Sequence, residues 1–330
     1  MSETPNTLKT RNPYWDVVKA LLIFLVVLGH SIQYLHQGGN CFAHPLFKAI
    51  YLFHMPLFAL ISGYFARGSI KRHGRKYLFR NAKHLLIPSL TVAVIGSFTF
   101  NSHLIKQGAG MESISCILAT LWFLLLLFGC SVFLYILMMR GEWWWRTLWC
   151  ILPLCAALSY HRFPLDAFFV FLYPFYLLGV YLNHKNFQFQ RIWVGIASAI
   201  IFIAVYCIFS PDWYVYNTPL SHLNHDLHAI QVSIIRMLGG LSGGLLFLFL
   251  IKHAKILWHI TWICSIGKYT LAIYALQSLV FSHINMIDHT HFELTYCILF
   301  AIILLLLLYG CVIVFKKNRV TRVLFLGETK

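Results

Sequence analysis

The sequence has few charged side chains, and acidic residues are the scarcest of them. Only 11% of its 330 residues are charged, and Asp and Glu together number 10. A soluble domain usually carries about 25% charged residues, so this composition argues against a soluble globule of the same length. With 59% hydrophobic residues, the chain is instead typical of an integral membrane protein.

The sequence also lacks the cysteine spacing of a metal or redox site. Its 9 cysteines lie mostly inside apolar segments, where cysteine behaves as a small hydrophobic residue. We therefore predict neither a disulfide framework nor a metal site. The polar start MSETPNTLKTRNPYWD leads into an apolar run without a small-residue cleavage site, so we expect no cleaved leader. No linker or low-complexity tract divides the chain, which predicts a single membrane domain over residues 1–330.

Long apolar windows are what the sequence has in abundance. About 20 apolar residues are needed to cross a hydrocarbon core of ~30 Å. Windows of roughly this kind lie at 17–36, 45–66, 83–100, 114–138, 147–160, 165–182, 191–209, 230–250, 260–282 and 292–315. The fifth is the weakest, because it is short and interrupted by Pro153. The predicted fold class is therefore all-α, a polytopic membrane bundle of about ten transmembrane helices.

Positive charge is distributed unevenly among the connections between these windows. The formal net charge is +16, but binding to nucleic acid needs basic residues on a wet surface. Here all but four of the 26 Lys and Arg residues lie in or near the two tails and the even-numbered connections. Positive segments stay in the cytoplasm, so we predict cytoplasmic termini, a bacterial inner membrane and no nucleic-acid partner. The basic run at 67–83 either serves topology alone or also receives an anionic ligand.

Polar side chains in the first window form one line along the predicted helix. Lys19 and His30 are eleven residues apart, which is about three turns plus 20°, so they share a face ~16 Å apart along the axis. Asp16 lies three residues before Lys19 and can pair with it. Charges inside a membrane usually face a cavity. The alternative is a snorkelling lysine and an interfacial histidine whose hydrogen bonds are satisfied.

Two later windows and one loop carry further polar candidates. His54 precedes Pro56, which allows a kink of the kind found where a cavity opens; alternatively, His54 simply bonds a neighbouring helix. Arg236 stands alone before GGLSGG and is either a site residue or a residue of the outer interface. The predicted outer loop PDWYVYNTPLSHLNHDLH suits either a sugar or an interfacial aromatic belt.

Five segments carry a joint pattern, in order along nearly the whole chain: YWDVVKALLIFLVVLGH, FHMPLFALISGYF, TLWFLLLLF, YPFYLLGVYL and IGKYTLAIYALQ. Together they resemble the acyltransferase 3 family of integral membrane proteins, especially its fucose 4-O-acetylase-like branch. In that family's first-helix signature, Arg or Lys precedes His with ten residues between, and Lys19 and His30 fit it without gaps. Two positions depart from the family pattern. Gln277 stands where members often have His, and Lys83 stands where a second Arg is common.

The resemblance implies transfer of an acyl group, usually acetyl, from cytoplasmic acyl-CoA to a carbohydrate hydroxyl. No permanently bound cofactor is implied, since acetyl-CoA is a donor co-substrate, and the expected partners are the donor, a carbohydrate acceptor and membrane lipid. The candidate residues are His30, Lys19 and Asp16 for catalysis, Arg75, Arg80, Lys83 and Trp122 for the donor, and His54, Arg236 and Tyr274 for the acceptor.

Several alternatives stay open at this level. His30 is expected either to take a proton from the attacking hydroxyl or to carry the acyl group as an acyl-imidazole. The donor is acetyl-CoA, succinyl-CoA or a longer acyl-CoA. A different class of protein, a transporter or flippase for a polysaccharide precursor, would favour inverted repeats, and we find no convincing internal repeat.

Overall fold

The computed structural model describes residues 12–36, 40–100, 106, 108–139, 166–215, 227–286 and 292–328. Within these ranges the chain is helical and contains no strand. The α-helices are α1 Pro13–Leu35, α2 Pro45–Tyr51, α3 His54–His73, α4 Arg75–Phe100, α5 Gly110–Thr120, α6 Trp122–Met139, α7 Asp166–His184, α8 Ile192–Ile208, α9 Leu227–His253, α10 Thr261–Ile266, α11 Thr270–Met286, α12 Leu294–Lys317 and α13 Arg319–Leu326. Short 3-10 turns at Cys41–Ala43, Pro211–Trp213 and Lys255–His259 lie between some of them.

Six segments in the described ranges are long and apolar enough to cross a membrane, and they lie in α1, α2–α3, α4, α6, α9 and α12. Shorter apolar helices, Phe168–His184, Ile192–Ile208 and Thr270–Ile284, lie in α7, α8 and α11. Together they account for nine of the ten windows predicted from the sequence. The fifth window, 147–160, lies outside the described residues. The prediction of an all-α polytopic bundle is confirmed.

The second apolar window is broken into two helices. Helix α2 ends at Tyr51 and α3 begins at His54, with Phe53 between them at φ −130° and ψ −20°. Pro56 is therefore in the first turn of α3, where a backbone N–H has no partner within the helix and its loss costs nothing. The interruption expected from Pro56 is present, and it places Tyr51 and His54 on the same bend.

Helix α1 lies at the centre of the bundle. It packs against α2, α3, α9, α10, α11 and α12, and side chains such as Val17, Val18 and Val27 are fully buried. Asn12 begins the helix by accepting a hydrogen bond from the Tyr14 backbone N–H at 3.0 Å. Because neighbours surround it, α1 can carry polar side chains on one face without exposing them to lipid.

Helices α3 and α7 make the most extensive helix–helix contact in the described part of the bundle. A Cβ built on Gly63 would lie 1.9 Å from the Tyr176 carbonyl oxygen, and one built on Gly179 would lie 1.9 Å from that of Leu60. Only glycine leaves room for two backbones at this distance, as in other closely packed membrane helices. This close pairing with α7 holds α3, the helix that begins at the α2–α3 bend, in place.

Contacts at the two ends of the bundle show which segments lie together. At one end, the backbone of Asp16 meets Gly267, and the carbonyl of Lys83 meets Gly327. Gly327 adopts a left-handed conformation at φ 66° that ends α13. At the other end, the Phe292 N–H donates to the Leu35 carbonyl at 2.8 Å. The first turn of α1, the start of α4 and the C-terminal helix are therefore on one side.

Candidate active site

His30 lies beside a small cavity near the end of α1 opposite its N-terminus. Its ring centroid is 5.3 Å from that of Phe281 and 6.1 Å from that of Tyr34. The cavity has a volume of about 50 Å³. Its walls are formed by His30, Tyr34, Thr120, Tyr274, Gln277, Ser278, Phe281 and Ser282. Most of these side chains carry a hydroxyl, an amide or an imidazole, so polar groups from several apolar helices border this cavity.

A short hydrogen-bonded chain joins His30 to the α2–α3 bend. The Nδ1 atom of His30 is 3.1 Å from Oε1 of Gln33, and the Tyr51 hydroxyl donates to the same oxygen at 3.2 Å. The Tyr51 ring lies against α1 at Gly29, where any Cβ would be 2.6 Å from Tyr51 Cε2. Gly29 is thus the position that lets the Tyr51 ring come next to the turn that carries His30.

His54 lies beyond Tyr51 in the same cluster. Its ring centroid is 4.7 Å from that of Tyr51, and its Nδ1 is 2.9 Å from the Ile50 carbonyl oxygen. The side chain is buried. His54 therefore bonds the carbonyl of the preceding helix and also lies next to Tyr51. It borders the candidate site without reaching the His30 cavity.

A second cavity borders Tyr51 and has a volume of about 30 Å³. Its lining is mostly aromatic and comprises Tyr51, Leu52, Met55, Pro56, Trp122, Phe168, Phe171, Leu172, Phe209, Trp213, Tyr214, Val215 and Arg236. The ring of Trp122 stacks on that of Phe168 with centroids 4.2 Å apart. Tyr51 is shared between this cavity and the hydrogen-bonded chain of His30. The aromatic cavity and the His30 cavity are therefore neighbours.

Arg236 is the charged residue of the aromatic cavity. It is 3% exposed, and its guanidinium donates to two backbone carbonyls of the loop before α9. The acceptors are the carbonyl oxygens of Trp213 and Tyr214, the second at 3.2 Å from Nη2. Arg236 therefore belongs to a buried cavity rather than to an exposed interface, and it holds the 3-10 turn that closes the cavity.

Asp16 and Lys19 form the ion pair that their spacing predicts. Lys19 Nζ is 3.2 Å from Asp16 Oδ1, and Asp16 is buried. The pair lies where α1 meets the turn at Gly267. Along a straight helix, Lys19 is ~16 Å from His30, so the structure does not bring this pair to the His30 cavity.

Arg75, Arg80 and Lys83 are all exposed on the first turns of α4. Helix α13 packs against this part of α4, and the Leu326 carbonyl is 3.1 Å from Nδ1 of His84. The basic run KKNRVTR at 316–322 leads into and through α13, so it adds positive charge beside the predicted donor residues. In the sequence alone, this run is part of the tail charge that predicts a cytoplasmic terminus.

Trp122 does not lie with these basic residues. The hydroxyl of Ser131 accepts a hydrogen bond from Asn81 Nδ2 at 2.7 Å, which places Ser131 level with the early turns of α4. Trp122 precedes Ser131 by nine residues, which is ~14 Å along α6. The structure therefore groups Trp122 with Arg236 in the aromatic cavity, whereas Tyr274 lines the His30 cavity.

Three residues of the site are not among those predicted from the sequence. Gln33 lies three residues after His30 on the same helix, a spacing that could have indicated it. Tyr51 is brought to Gln33 only by the bend between α2 and α3. Gln277 was noted as a departure from a family pattern, but its burial beside His30 is known only from the fold. Its Oε1 has no hydrogen-bond partner in the described part of the chain.

One sequence pattern has no catalytic geometry. Residues 240–244 read GLSGG, which matches the G-x-S-x-G spacing of serine hydrolases. That motif requires a sharp strand-to-helix turn. Here the segment lies inside α9, and the Ser242 hydroxyl donates to the Leu238 carbonyl of the same helix at a normal back-bonding position. Ser242 is thus a helix residue and not a nucleophile elbow.

Comparison with known proteins gives two kinds of match. A family model described as an acyltransferase domain matches residues 12–316. The nodulation protein NolL of Mesorhizobium japonicum is 27% identical over 323 residues, covering 91% of this chain and 85% of that protein. The nodulation protein NolL of Sinorhizobium fredii is 28% identical over 315 residues, covering 84% of this chain and 80% of that protein. No solved structure matches significantly.

Proposed function

The chain belongs to the acyltransferase 3 family, whose domain spans residues 12–316, and from this premise we propose the reaction that it catalyses. It transfers an acetyl or similarly short acyl group from cytoplasmic acyl-CoA to a hydroxyl of a cell-surface or lipid-linked carbohydrate. The family assignment and the apolar helices make it an integral membrane acyltransferase. The donor, the acceptor and the sidedness are the proposed part.

The observation that carries the proposal is the position of His30 at a small cavity bordered by polar side chains. A neutral imidazole has one ring nitrogen with a free lone pair, which can take a proton from an attacking hydroxyl. In the proposed step the acceptor oxygen forms a bond to the thioester carbonyl carbon while a His30 ring nitrogen takes the hydroxyl proton. The C–S bond then breaks, and the imidazolium returns the proton to the departing thiolate of CoA.

The size of the His30 cavity supports a short acyl group. Pockets for drug-sized molecules usually have volumes of about 300–1,000 Å³, and this cavity is much smaller, at about 50 Å³. That volume suits only a few non-hydrogen atoms, such as those of an acetyl group beside the attacking hydroxyl. It does not suit the whole of CoA, so the nucleotide part of the donor must bind elsewhere.

The basic end of α4 supports a cytoplasmic donor site. Arg75, Arg80 and Lys83 are exposed there, and α13 with its preceding basic run packs alongside. Guanidinium and ammonium groups bind phosphate through charge-assisted hydrogen bonds, and the nucleotide of CoA carries several phosphate charges. The pantetheine arm would extend from this surface along α1, past the Asp16–Lys19 pair, to His30.

The residues that line the aromatic cavity, rather than its volume, support a carbohydrate acceptor. Aromatic faces pack on the apolar faces of sugar rings, while groups such as the Tyr51 hydroxyl and the Arg236 guanidinium supply polar contacts. The cavity adjoins the hydrogen-bonded chain that ends on His30. In this proposal Trp122 and Arg236 bind the acceptor, and His54 supports the bend between the two cavities.

The proposal is tested by replacing His30 in the purified protein. We expect His30→Ala to lower the rate of acyl transfer from acetyl-CoA by about 10²–10⁴-fold, the usual contribution of a general base. The matched control is His253→Ala, which removes an exposed histidine and should leave the rate unchanged. Near wild-type activity of His30→Ala, with an unaltered elution profile and melting temperature, would overturn the assignment.

A further inference from the structure

We infer that Gln33 and Tyr51 are positioning residues that hold His30 in the tautomer with its proton on Nδ1, so that Nε2 is the nitrogen that accepts the substrate proton. The inference rests on the proposed catalytic role of His30. It concerns the two hydrogen bonds that meet at the side-chain oxygen of Gln33, one from α1 itself and one from the α2–α3 bend.

The tautomer follows from the chemistry of the shared oxygen. A carboxamide oxygen accepts hydrogen bonds and cannot donate them. The Oε1 atom of Gln33 receives the Tyr51 hydroxyl at 3.2 Å, and it is 3.1 Å from Nδ1 of His30. Nδ1 must therefore carry the proton if this contact is a hydrogen bond. In a neutral imidazole the other nitrogen then has the lone pair, and that nitrogen can act as a base.

Tyr51 is held so that its hydroxyl stays on Gln33. Its ring stacks on Phe47 at a centroid distance of 3.7 Å and an interplanar angle of 19°. The opposite edge of the ring meets the backbone of α1 at Gly29, where there is no space for a Cβ. With packing on both sides the ring has little freedom to turn. This packing keeps the Tyr51 hydroxyl in place to donate to the Gln33 oxygen that faces His30.

The reversed amide would have the opposite consequence. If Gln33 presented its NH₂ group, that group would donate to Nδ1 of His30, and the ring proton would be on Nε2. An Nε2–H group can donate to a substrate oxygen but cannot take a proton from it. The two arrangements thus differ in function. An ionised glutamate at position 33 can only accept hydrogen bonds, so the activity of Gln33→Glu distinguishes them.

The other polar groups around His30 do not orient its ring. The titratable side chains next to the ring or its cavity are Tyr34 on α1, Tyr274 on α11 and, on the α2–α3 side, Tyr51 and His54. In the described part of the chain, Gln33 is the side chain that hydrogen bonds to the His30 ring. A base oriented by a third group is the usual arrangement of catalytic histidines.

The test compares Gln33→Glu, Gln33→Leu and Tyr51→Phe in the full-length purified protein, with acetyl-CoA as the donor. Leucine removes the oxygen, and we expect kcat to fall by about 10- to 100-fold with little change in KM, as for an orienting group that acts through the base. Glutamate keeps an acceptor oxygen and should restore most of that loss. Tyr51→Phe should lower kcat by a smaller factor. Gln190→Glu, at an exposed loop position, is the matched control and should not change kcat.

A direct readout is the ¹⁵N NMR spectrum of the His30 ring, identified by its loss in His30→Ala. We expect the proton on Nδ1 in the wild type and in Gln33→Glu, and a mixture of tautomers in Gln33→Leu. If Gln33→Glu is as inactive as Gln33→Leu, or if the ring proton is on Nε2 in the wild type, the inference is wrong. If Gln33→Leu is fully active while His30→Ala is inactive, the inference is wrong and the proposed role of His30 stands. If His30→Ala is active, the proposed role of His30 is itself wrong.

Discussion

At the scale of single residues, the His30 cavity combines groups from distant parts of the chain. His30 and Gln33 come from α1, Thr120 from the end of α5, and Tyr274 and Gln277 from α11. Each is unremarkable in its own segment, where a lone polar residue in an apolar helix is commonly satisfied by a neighbour. Their convergence on one small volume is what makes chemistry possible.

Gln277 gives the residue-scale prediction. Its Oε1 is buried and lacks a partner in the described residues, and an unsatisfied buried polar group costs ~1–3 kcal/mol. We expect Gln277→Leu to raise the melting temperature of the substrate-free protein and to raise KM for the acceptor, because the leucine cannot accept a hydrogen bond from the bound substrate.

The control for this change is Gln188→Leu, a similar substitution at an exposed position, which should affect neither quantity. Both quantities are measured on the same detergent-solubilised preparation, by a thermal unfolding scan and by initial rates. A higher melting temperature with unchanged KM would mean that the Gln277 amide contacts no substrate.

At the scale of helices, close packing of α3 against α7 supports the bend that carries Tyr51 and His54. The two glycines at this crossing, Gly63 and Gly179, bring the backbones together. A bundle in lipid gains little hydrophobic energy from helix association, so van der Waals contact between backbones is a main source of stability. Any added side-chain atom at the crossing must push the helices apart.

We therefore expect Gly179→Ala to destabilise the protein by at least the ~1–3 kcal/mol typical of overpacking. The new Cβ would lie 1.9 Å from the Leu60 carbonyl oxygen and 2.8 Å from the Tyr64 nitrogen. The measurement is the midpoint temperature of heat-induced loss of the monodisperse peak in size-exclusion chromatography.

Gly129→Ala is the matched control for Gly179→Ala. Gly129 is also inside a membrane helix, α6, but a Cβ there would meet none of the described residues within 4 Å. Alanine also has a higher helix propensity than glycine by ~1 kcal/mol. This variant should be as stable as the wild type or more stable. Equal melting temperatures for the two variants would show that the α3–α7 contact is looser than described.

At the scale of the whole molecule, the basic residues and the two cavities lie towards opposite ends of the bundle. The basic turns of α4 and the C-terminal helix lie at one end, and the His30 and aromatic cavities lie towards the other. In the proposed orientation the basic end faces the cytoplasm. A donor that enters there and an acceptor that approaches from outside would meet at His30.

This arrangement predicts that acyl transfer depends on which face meets the donor. Acetyl-CoA does not cross membranes, so inverted vesicles given external acetyl-CoA should transfer acetyl groups, whereas right-side-out vesicles should do so only after permeabilisation. A C-terminal green fluorescent protein fusion should fluoresce, and a C-terminal alkaline phosphatase fusion should be inactive, because both report a cytoplasmic terminus.

The vesicle assay and the fusions separate two possible errors. Transfer in sealed right-side-out vesicles, together with a cytoplasmic C-terminus, would contradict the cytoplasmic donor site. An active alkaline phosphatase fusion would contradict the orientation itself. The His30→Ala protein in the same inverted vesicles serves as the background for both measurements.

The fold class, nine of the ten apolar segments and the line of polar residues on α1 follow from the sequence. These are local properties, because apolar length and helical spacing require only neighbouring residues. It also predicted the Asp16–Lys19 ion pair and the interruption near Pro56, both of which depend on residues within one or two turns. The family resemblance carried by Lys19 and His30 was confirmed for the same reason, since a signature is read along the chain.

The tertiary structure alone decided which side chains share a cavity. Trp122 joins Arg236 rather than the basic turns of α4, Gln277 joins His30, and Tyr51 reaches Gln33 across the α2–α3 bend. These contacts depend on how far each helix is shifted and rotated against its neighbours. Packing at positions such as Gly29 and Gly179 sets these shifts and rotations. A membrane helix is apolar on nearly all of its faces. Its apolar pattern therefore gives little information about how the helix is rotated within the bundle.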